Sequence, residues 1–417
     1  MSTVHIIGAG IAGLAAAVRL VDAGRQVFLH ESSINAGGRC RSFHDSTLDC
    51  TIDNGNHLLL SGNWSTRAFL AEIGASDTLM GPAEAQFPFV DVTSGERWTV
   101  SLGTGRIPWR ILRAGCRPPG TRIADFLSIL RLARASPDAT VASLFEQRGA
   151  FYTHFLEPLA IAALNTPLDK AAAAPLWQVF RETFARGGSA CRPLVARDGL
   201  SDSFITPALA HLRTRGGELQ FNRRLKAIET EADRAIRLEF GNDEIELSPN
   251  SMVVLAIPPA SLNTVLTDLP IPRGSHAIVN IHYKASRPPT FTEKTPILGV
   301  INGVAEWLFL RGTVISVTIS AADVLAEMPA PDIAKRVWSD IVLALDINEA
   351  MPPYRVVKER RATFSQTPGA MRLRLGTCTN FKNLFLAGDW TDTELPATIE
   401  SAIRSGHKAA AAIMAAP

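Results

Sequence analysis

A glycine-rich turn close to the N-terminus constrains the fold of this chain more than any other feature of its sequence. Residues 4–7 are an apolar run typical of a buried parallel strand. Gly8, Gly10 and Gly13 follow in the spacing Gly-x-Gly-x-x-Gly, with Ala12 before the last glycine. In this pattern the first glycine allows a tight turn, the second lets the backbone approach a pyrophosphate, and the third lets the strand pack against a helix. The pattern predicts a dinucleotide-binding turn.

The segments after the turn support this interpretation. Residues 14–23 are rich in Ala and Leu, which predicts a helix, and Gly24 is placed to end it. Residues 25–31 predict a second strand that ends in the carboxylate of Glu31, 18 residues after Gly13. A spacing of about 20 residues is usual between such a turn and the acid that binds the ribose. Strand, turn, helix and acid together predict a Rossmann-like unit.

Composition excludes several classes of protein. The chain of 417 residues has 42 Lys and Arg against 40 Asp and Glu, a net charge of +2. This balance argues against a dedicated nucleic-acid binder, which is usually strongly basic. The five cysteines form no Cys-x-x-Cys pair, so we expect reduced thiols in a cytoplasmic protein and no metal site. The sequence contains no run of about 18 apolar residues, so no transmembrane helix is predicted.

The segment that follows Glu31 and Ser32 carries a second motif, Gly37-Gly38-Arg39. An acid followed by Gly-Gly-Arg resembles the flavin amine oxidase and carotenoid desaturase superfamily. The resemblance implies FAD as the cofactor, two glycines that let the backbone pass close to the flavin, and an arginine near the pyrophosphate or the flavin ring. A guanidinium suits this position because it offers a fixed cation and several donors to anionic oxygens.

The C-terminal region resembles the closing motif of the same superfamily. Residues 381–391 predict a strand that runs into Gly388 and Asp389, and residues 396–406 predict the start of a helix. The resemblance implies that Asp389 contacts the ribityl chain or the pyrophosphate. It also implies that the helix start faces the pyrimidine edge of the flavin, which involves Ala397, Thr398 and Ile399. A helix N-terminus favours negative charge at that edge.

A middle region completes the expected cofactor domain. Residues 216–229 and 251–259 resemble the second FAD segment of the superfamily, which implies a backbone contact from Leu225 to the adenine. We therefore predict an α/β fold, α+β overall, with a discontinuous Rossmann-like FAD-binding domain and a mixed sheet-plus-helix substrate domain. The predicted FAD domain comprises residues 1–60, 192–270 and 372–417. The predicted substrate domain comprises residues 61–191, with a helical part at 120–190, and 271–371, with a strand-rich part at 275–370.

Two shorter motifs narrow the family. Asp53, Asn54, Gly55, Asn56 and His57 follow the Gly-Gly-Arg segment, and residues 163–167 read Ala-Leu-Asn-Thr-Pro. With the flavin motifs, they resemble the hydroxysqualene dehydroxylase family of bacterial hopanoid clusters over most of the chain. The resemblance implies reductive removal of the hydroxyl from a thirty-carbon allylic alcohol, to give squalene. A physical mechanism for this reaction is loss of water to leave an allylic cation, followed by delivery of a hydride from reduced flavin. One departure is Asn56, where we expect glutamine.

The candidate catalytic residues are Arg39, Asp53 and His57, and Gly55, Asn56 and His57 are also candidate cofactor contacts. An unperturbed imidazole titrates near neutral pH, which favours His57 as the acid that protonates the leaving hydroxyl. The alternative is that His57 only packs against the flavin. The sequence contains no second Gly-x-Gly-x-x-Gly, so an external electron donor is expected.

Three alternative functions stay open. A carotene or phytoene desaturase of the plant type would have a similar closing motif but would take electrons from its substrate. A flavin amine oxidase is less favoured because the chain has only three tyrosines and none lies near the C-terminal motif. A non-catalytic lipid escort is disfavoured by the intact glycine motifs.

One stretch departs from the balanced charge. Residues 97–134 contain eight arginines and one acid, a local charge of +7, interleaved with Trp109 and many aliphatic residues at near-helical spacing. Basic and apolar side chains in this arrangement favour a membrane surface with anionic headgroups. We expect peripheral membrane contact there, at the inner face of the cell membrane, since a squalene-like substrate lies in the bilayer. The alternative is a basic solvated helix over the core.

Overall fold

The glycine-rich turn lies between the first strand and the first helix, as the sequence predicts. The computed structural model describes residues 3–145, 148–241, 243–267, 269–289 and 296–416. Its strands are β1 Thr3–Ile7, β2 Gln26–His30, β3 Ser42–Asp45, β4 Cys50–Asp53, β5 Leu59–Leu60, β6 Leu79–Met80, β7 Ala85–Asp91, β8 Arg97–Gly103, β9 Pro193–Ala196, β10 Glu218–Gln220, β11 Ala227–Glu231, β12 Arg234–Glu239, β13 Glu244–Glu246, β14 Met252–Leu255, β15 Ser275–Lys284, β16 Ile297–Ile301, β17 Trp307–Arg311, β18 Val314–Ile319, β19 Tyr354–Phe364 and β20 Leu384–Leu386.

Helices connect and cover these strands. The α-helices are α1 Ile11–Asp22, α2 Trp64–Glu72, α3 Ile123–Phe126, α4 Leu130–Ala133, α5 Glu157–Leu164, α6 Ala173–Glu182, α7 Thr206–Thr214, α8 Pro259–Val265, α9 Asp323–Glu327, α10 Ala330–Leu345, α11 Pro368–Arg372 and α12 Ile399–Ala415. Short 3-10 turns lie at Trp109–Leu112, Ala114–Cys116, Leu127–Ile129, Ala142–Leu144, Phe184–Arg186 and Gly188–Ala190, and π-helical turns lie at Tyr152–Leu156 and Ser201–Ile205. Among the helices described, none is both long and apolar enough to cross a membrane.

A five-stranded parallel sheet joins the two ends and the middle of the chain. Its strand order is β10-β2-β1-β14-β20, and every neighbouring pair is parallel. Helices α1 and α12 pack together against it so closely that a Cβ atom on Gly406 would lie 2.2 Å from the carbonyl oxygen of Ala12. The sheet brings the three segments with flavin-type motifs to one edge, where the carboxyl ends of its strands meet.

A seven-stranded sheet forms the second large layer, in the order β19-β15-β18-β17-β16-β7-β8. Its pairs are antiparallel except β7 with β16, which are parallel. Helix α10 covers one face through buried Ile333, Val337 and Ile341. The helical region from α4 to α6 packs around Phe87 and Phe155 in a separate hydrophobic cluster.

The α/β fold class is confirmed by this architecture. The domain boundaries given above stay a prediction. The near-helical spacing expected over residues 97–134 does not produce one long helix: β8 is followed by short turns. Pro108, Pro118 and Pro119 interrupt this stretch, and proline removes a backbone donor and clashes with the preceding turn of a helix.

Candidate active site

A cavity of about 1350 Å³ lies between the two large sheets. Its lining includes residues at the carboxyl ends of four parallel strands: Gly8 directly after β1, Glu31 directly after β2, Ala256 directly after β14 and Gly388 two residues after β20. In open α/β sheets, ligands bind at this carboxyl edge. Pockets for a single small ligand usually measure about 300–1,000 Å³, so this cavity has room for a dinucleotide with a second molecule beside it.

The three glycines of the turn differ in their surroundings. A Cβ atom on Gly13 would lie 2.0 Å from the carbonyl oxygen of Gly8, so this position needs glycine for close packing. A Cβ atom on Gly10 would have no atom within 4 Å, because this backbone faces the cavity. Gly10 precedes α1, and no side chain caps the first turn of that helix. Free N–H groups at a helix start bind phosphate oxygens.

Glu31 stabilises the same turn from the end of β2. Its Oε2 accepts a hydrogen bond from the backbone N–H of Ala9 at 2.8 Å, and its Oε1 accepts one from the backbone N–H of Ser33 at 2.8 Å. Glu31 and Ser32 both line the cavity. Oε1 of Glu31 also accepts from Oγ of Ser32 at 3.1 Å, whereas the second lone pair of Oε2 can accept a hydrogen bond from a hydroxyl of a ribose.

Arg39 and Asp389 connect the N-terminal and C-terminal motifs. Nη2 of Arg39 donates to Oδ1 of Asp389 at 2.8 Å, and its Nη1 donates to the carbonyl oxygen of Ala362. The carboxylate of Asp389 raises the pKa of Arg39. Both side chains line the cavity, so this pair places a fixed cation with further donors at its wall.

Arg374 shapes the loop that follows Asp389. Its guanidinium is buried and donates to the carbonyl oxygens of Trp390, Thr391 and Leu395. Burial lowers the pKa of Arg374 to about 10, so the group stays charged at neutral pH. These contacts order the loop ahead of Ala397, Thr398 and α12, which line the cavity.

The loop with Gly55, Asn56 and His57 is attached to the seven-stranded sheet. Asn56 donates from its side-chain amide to Oγ1 of Thr318 at 3.0 Å, and Thr318 donates to Oδ1 of Asn280 at 2.7 Å. Asn280 is 1% exposed, and a Cβ atom on Gly55 would lie 3.1 Å from its Nδ2. The shorter side chain of Asn56, in place of the expected glutamine, therefore has a specific partner in β18.

The pKa of His57 is not the unperturbed value that favours this residue as the acid. Burial lowers the pKa of His57 to about 4; the charge of Asp53 opposes this shift, and that of Arg39 adds to it. The imidazole is neutral at neutral pH, so it is not a standing imidazolium acid. Its role as an acid stays a prediction and requires a proton supply.

Asp53 is placed differently from the other candidate catalytic residues, because it does not line the large cavity. Its Oδ1 accepts hydrogen bonds from Oγ of Ser42 at 2.6 Å and from the backbone N–H of Leu200 at 2.9 Å. Its Oδ2 is 2.9 Å from Nη1 of Arg311. The carboxylate thus stabilises the start of a π-helical turn and an ion pair, and does not reach a ligand in that cavity directly.

The Ala-Leu-Asn-Thr-Pro motif contributes connections across the molecule. Asn165 ends α5 in a left-handed conformation and donates to Oγ1 of Thr363 at 3.0 Å. The hydroxyl of Thr166 accepts from the backbone N–H of Gln366 at 3.1 Å, and Oε1 of Gln366 accepts from the backbone N–H of Ala397 at 3.0 Å. The motif therefore positions the cavity loop at Ala397 through Gln366.

The remaining cavity wall is apolar. Phe180 and Phe184 have ring centroids 4.8 Å apart, and Phe87 stacks on Phe184 at 5.7 Å. The apolar lining residues from the helical region and the seven-stranded sheet include Phe87, Leu159, Ala162, Ala163, Leu176, Val179, Phe180, Phe184, Trp307 and Phe309. Such a wall suits a hydrocarbon and excludes water from it.

The cavity brings together nearly all of the cofactor residues expected from the sequence. The expected cofactor residues that line it are Gly8, Gly10, Ala12, Glu31, Ser32, Gly37, Gly38, Arg39, Gly55, Asn56, His57, Leu225, Gly388, Asp389, Ala397, Thr398 and Ile399. Gly13 does not line it and lies in the strand–helix contact instead. The uncapped helix start, the ribose-facing acid and the arginine at the wall fit FAD.

Sequence reasoning missed four residues of the site: Asn280, Thr318, Gln366 and Arg374. Asn280 had a detectable signal, because an amide inside the apolar run of β15 is unusual and needs a buried partner. Gln366 and Arg374 lie outside any motif, and their partners are distant in sequence or in an irregular loop.

Comparisons with known proteins agree with this geometry. The chain matches the protein family described as flavin containing amine oxidoreductase over residues 11–414. It is 45% identical over 407 residues to the hydroxysqualene dehydroxylase of Sinorhizobium fredii, covering 98% of this chain and 97% of that protein. It is 44% identical over 415 residues to the hydroxysqualene dehydroxylase of Rhodopseudomonas palustris, covering 99% of each.

More distant similarities extend to desaturases and oxidases. A probable zeta-carotene desaturase of Synechococcus elongatus is 23% identical over 483 aligned residues, covering 99% of this chain and 98% of that protein. The solved structure of cyclohexylamine oxidase from Brevibacterium oxydans superposes with a TM-score of 0.74 at 17% identity, covering 99% of this chain and 98% of that chain. This last similarity concerns the fold alone.

Proposed function

Because the chain belongs to the flavin containing amine oxidoreductases, and within them to the hydroxysqualene dehydroxylase family, we propose that it converts hydroxysqualene to squalene. It is an FAD-dependent oxidoreductase, and the proposed reaction replaces the hydroxyl group of the substrate by hydrogen. The observation that carries the proposal is one continuous cavity with a polar half that fits FAD and an apolar half that fits a long isoprenoid.

We assign the polar half to FAD as follows. The start of α1 at Gly10 and Ala12 would bind the pyrophosphate, and Glu31 would bind the adenosine ribose. The backbone at Leu225 would contact the adenine, and Arg39 with Asp389 would contact the central part of the cofactor. The segment Ala397–Ile399, the loop at Gly55–His57, and Gly37 with Gly38 would hold the flavin ring. When bound and reduced, FAD supplies the hydride.

The apolar half has two tasks. It excludes water from the reacting carbon, so that a developing allylic cation is not captured by solvent. The aromatic faces of Phe180, Phe184 and Trp307 also offer negative π-density to a cation close to them. We assign to His57 the transfer of a proton to the leaving hydroxyl. We assign to Asp53 a positioning role, in which its carboxylate stabilises the chain segments near His57.

We also propose that the protein contacts anionic membranes through a basic apolar patch, defined as residues 106–134. Large apolar side chains are exposed there, and Trp109 and Leu127 are each 65% exposed. Exposed guanidinium groups surround them at Arg106, Arg113 and Arg134. A surface that combines exposed guanidinium groups with exposed apolar side chains suits a membrane with anionic headgroups.

The inner side of the basic apolar patch supports a link with the cavity. Ile111 and Leu132 are buried in the same hydrophobic cluster as Phe87 and Phe180, which line the cavity. An apolar substrate that leaves a bilayer at the patch would thus have a short apolar route to the reaction site. This packing supports the proposal that the basic apolar patch contacts lipid close to the substrate half of the cavity.

The function is tested by incubating the FAD-loaded protein with two substrates. Reduced enzyme with hydroxysqualene under anaerobic conditions should form squalene, whereas oxidised enzyme with phytoene should form no desaturated product. Desaturation of phytoene without any squalene would replace the proposal by the carotene desaturase function. A purified protein that cannot bind FAD would favour the non-catalytic escort.

A further inference from the structure

A second, smaller cavity of about 30 Å³ lies next to His57. It shares Asn56, His57 and Phe309 with the large cavity, so these residues form the wall between the two spaces. Its other lining residues are Asp53, Val195, Ala196, Leu200, Pro296, Leu310, Arg311 and Ser316. His57 is therefore accessible from two sides, one facing the proposed reaction site and one facing this smaller space.

Polar side chains line one part of the small cavity, and apolar side chains line the rest. Oγ of Ser316 is 2.7 Å from Nδ1 of His282, a fully buried residue whose Nε2 has no hydrogen-bond partner among the described residues. Asp53 and Arg311 form an ion pair on the same wall, with 2.9 Å between Oδ2 and Nη1. The side chain of Arg311 is 27% exposed, so the arginine side of this ion pair contacts solvent.

The size and the polarity of this space match one kind of occupant. A water molecule needs about 10–15 Å³ of such space and two to four polar partners. We propose that the small cavity binds a water molecule through which His57 receives a proton as it gives one to the leaving hydroxyl of the substrate. The proposal deepens the proposed function and rests on it.

The proton transfer balances as follows. The N–H bond on one ring nitrogen of His57 breaks and an O–H bond forms on the substrate hydroxyl, whose C–O bond breaks to release water. The other ring nitrogen takes a proton from the bound water. A proton from solvent, which arrives beside Asp53 and Arg311, then restores that water. Reduced flavin is the reductant, and alcohol, hydride and proton together give hydrocarbon and water.

A proton relay through a neutral imidazole is more consistent with the buried position of His57 than a permanently protonated ring. With a pKa of about 4, only about one imidazole in a thousand is protonated at pH 7. A neutral imidazole that gives and receives protons together needs no standing charge in the apolar surroundings. The negative charge of Asp53, on the wall of the small cavity, favours the positive charge that develops on the ring.

The test fills the small cavity without removing any proton-carrying group. Ala196 lines it and is 9% exposed, so Ala196→Val adds two methyl groups there, whereas Ala196→Ser is the matched control that keeps a polar, water-compatible wall. Both FAD-loaded variants are reduced and mixed with hydroxysqualene in H₂O and in D₂O. We expect squalene formation to slow about tenfold or more in A196V, which corresponds to about 1.4 kcal/mol, with little change in A196S.

The solvent isotope effect separates a relay from a general disturbance. In A196V the ratio of rates in H₂O and D₂O should rise above that of the unaltered protein, because proton transfer then limits the rate. A crystal structure of the FAD-loaded enzyme should show water between His57 and Ser316, and none in A196V. An unchanged rate in A196V, a slower rate with an unchanged isotope ratio, or an apolar, dry small cavity would overturn the proposal.

Two controls keep the test decisive. If A196V does not retain FAD, Ser316→Ala replaces it, with Ser316→Thr as the variant that restores the hydroxyl and should restore the rate. Equal rates in S316A and S316T would contradict the relay. If the unaltered protein forms no squalene from hydroxysqualene, the proposed function itself fails, which is a different outcome from a failure of the variants.

Discussion

Nη2 of Arg39 and Oδ1 of Asp389 lie 2.8 Å apart, although 350 residues separate them in sequence. The contact joins the first and the last flavin motifs of the chain at the wall of the cavity. Asp389 is 7% exposed, so its carboxylate needs nearby cations to compensate its charge, and Arg39 and Arg374 both supply one. The chain thus closes its cofactor cavity with an ion pair between its two ends.

Arg39→Ala should weaken FAD binding, because it removes a donor to the cofactor and one of the two cations near the Asp389 carboxylate. Since the Arg39 side chain is 40% exposed, solvent screening reduces the loss, and we expect about tenfold weaker binding, about 1.4 kcal/mol. Titration of apoprotein with FAD, followed by flavin fluorescence, measures this. The affinity of Arg39→Lys for FAD should lie between those of R39A and the unaltered protein. An affinity of R39A within twofold of the unaltered protein would contradict the assignment of Arg39 to the cofactor.

Ala163→Trp should obstruct the apolar half of the cavity. Ala163 lines that half from α5. We expect kcat/KM for hydroxysqualene to fall about tenfold or more, with an unchanged flavin absorption spectrum. Leu343→Trp, at an exposed position of α10, is the control and should leave kcat/KM unchanged. Equal losses of kcat/KM in both variants would contradict the assignment of the apolar half of the cavity to the substrate.

Acid should destabilise the protein through its buried histidines. Burial lowers the pKa of His282 to about 4, whereas the unfolded side chain titrates near 6.5, so the unfolded chain binds more protons between these values. The stabilising contribution is present above pH 6.5 and is lost as the pH falls toward 4. At pH 5.5 the loss from this residue is about 1.4 kcal/mol relative to pH 7.5.

His282→Gln should therefore reduce the difference between the free energies of unfolding at pH 7.5 and pH 5.5 by about that amount. Urea unfolding at the two pH values measures the difference. His44→Gln is the control, since that side chain is exposed. A pH dependence that is the same in H282Q and in the unaltered protein would show that His282 is not held neutral by the fold.

The double variant Trp109→Glu with Leu127→Glu should lose binding to anionic vesicles. Each substitution removes exposed apolar surface from the basic apolar patch, worth about 1–2 kcal/mol when partly buried in lipid, and adds a charge that anionic headgroups repel. Sedimentation with phosphatidylglycerol vesicles at low salt measures the bound fraction. Val324→Glu, at a residue 84% exposed on α9, should bind as the unaltered protein does.

Local patterns made the cofactor half predictable. The first strand, the glycine-rich turn, α1 and the acid after β2 are adjacent in sequence, so spacing alone indicates how they fold. The expected helix at residues 14–23 is found at Ile11–Asp22, and the strand expected within residues 381–391 is found at Leu384–Leu386. Packing and hydrogen bonds shift such boundaries by a few residues, because helix and strand ends fray.

The rest of the site depends on contacts between distant segments. Gln366 bonds both the carbonyl oxygen of Leu164, 202 residues away, and the backbone of Ala397, and no local pattern indicates either partner. The pKa of His57 follows from burial by several chain segments, so an unperturbed value was the wrong assumption. Asp53 was chosen for its place in a motif, but only the fold shows that Ser42, Leu200 and Arg311 occupy its carboxylate.

The most direct measurement is a single turnover of reduced, FAD-loaded protein with excess hydroxysqualene under anaerobic conditions. Flavin oxidation is followed by absorbance while squalene is quantified by mass spectrometry. The account predicts one squalene for each flavin oxidised, with both forming at the same rate. Flavin that stays reduced in the presence of hydroxysqualene, or is oxidised without the formation of squalene, would contradict it.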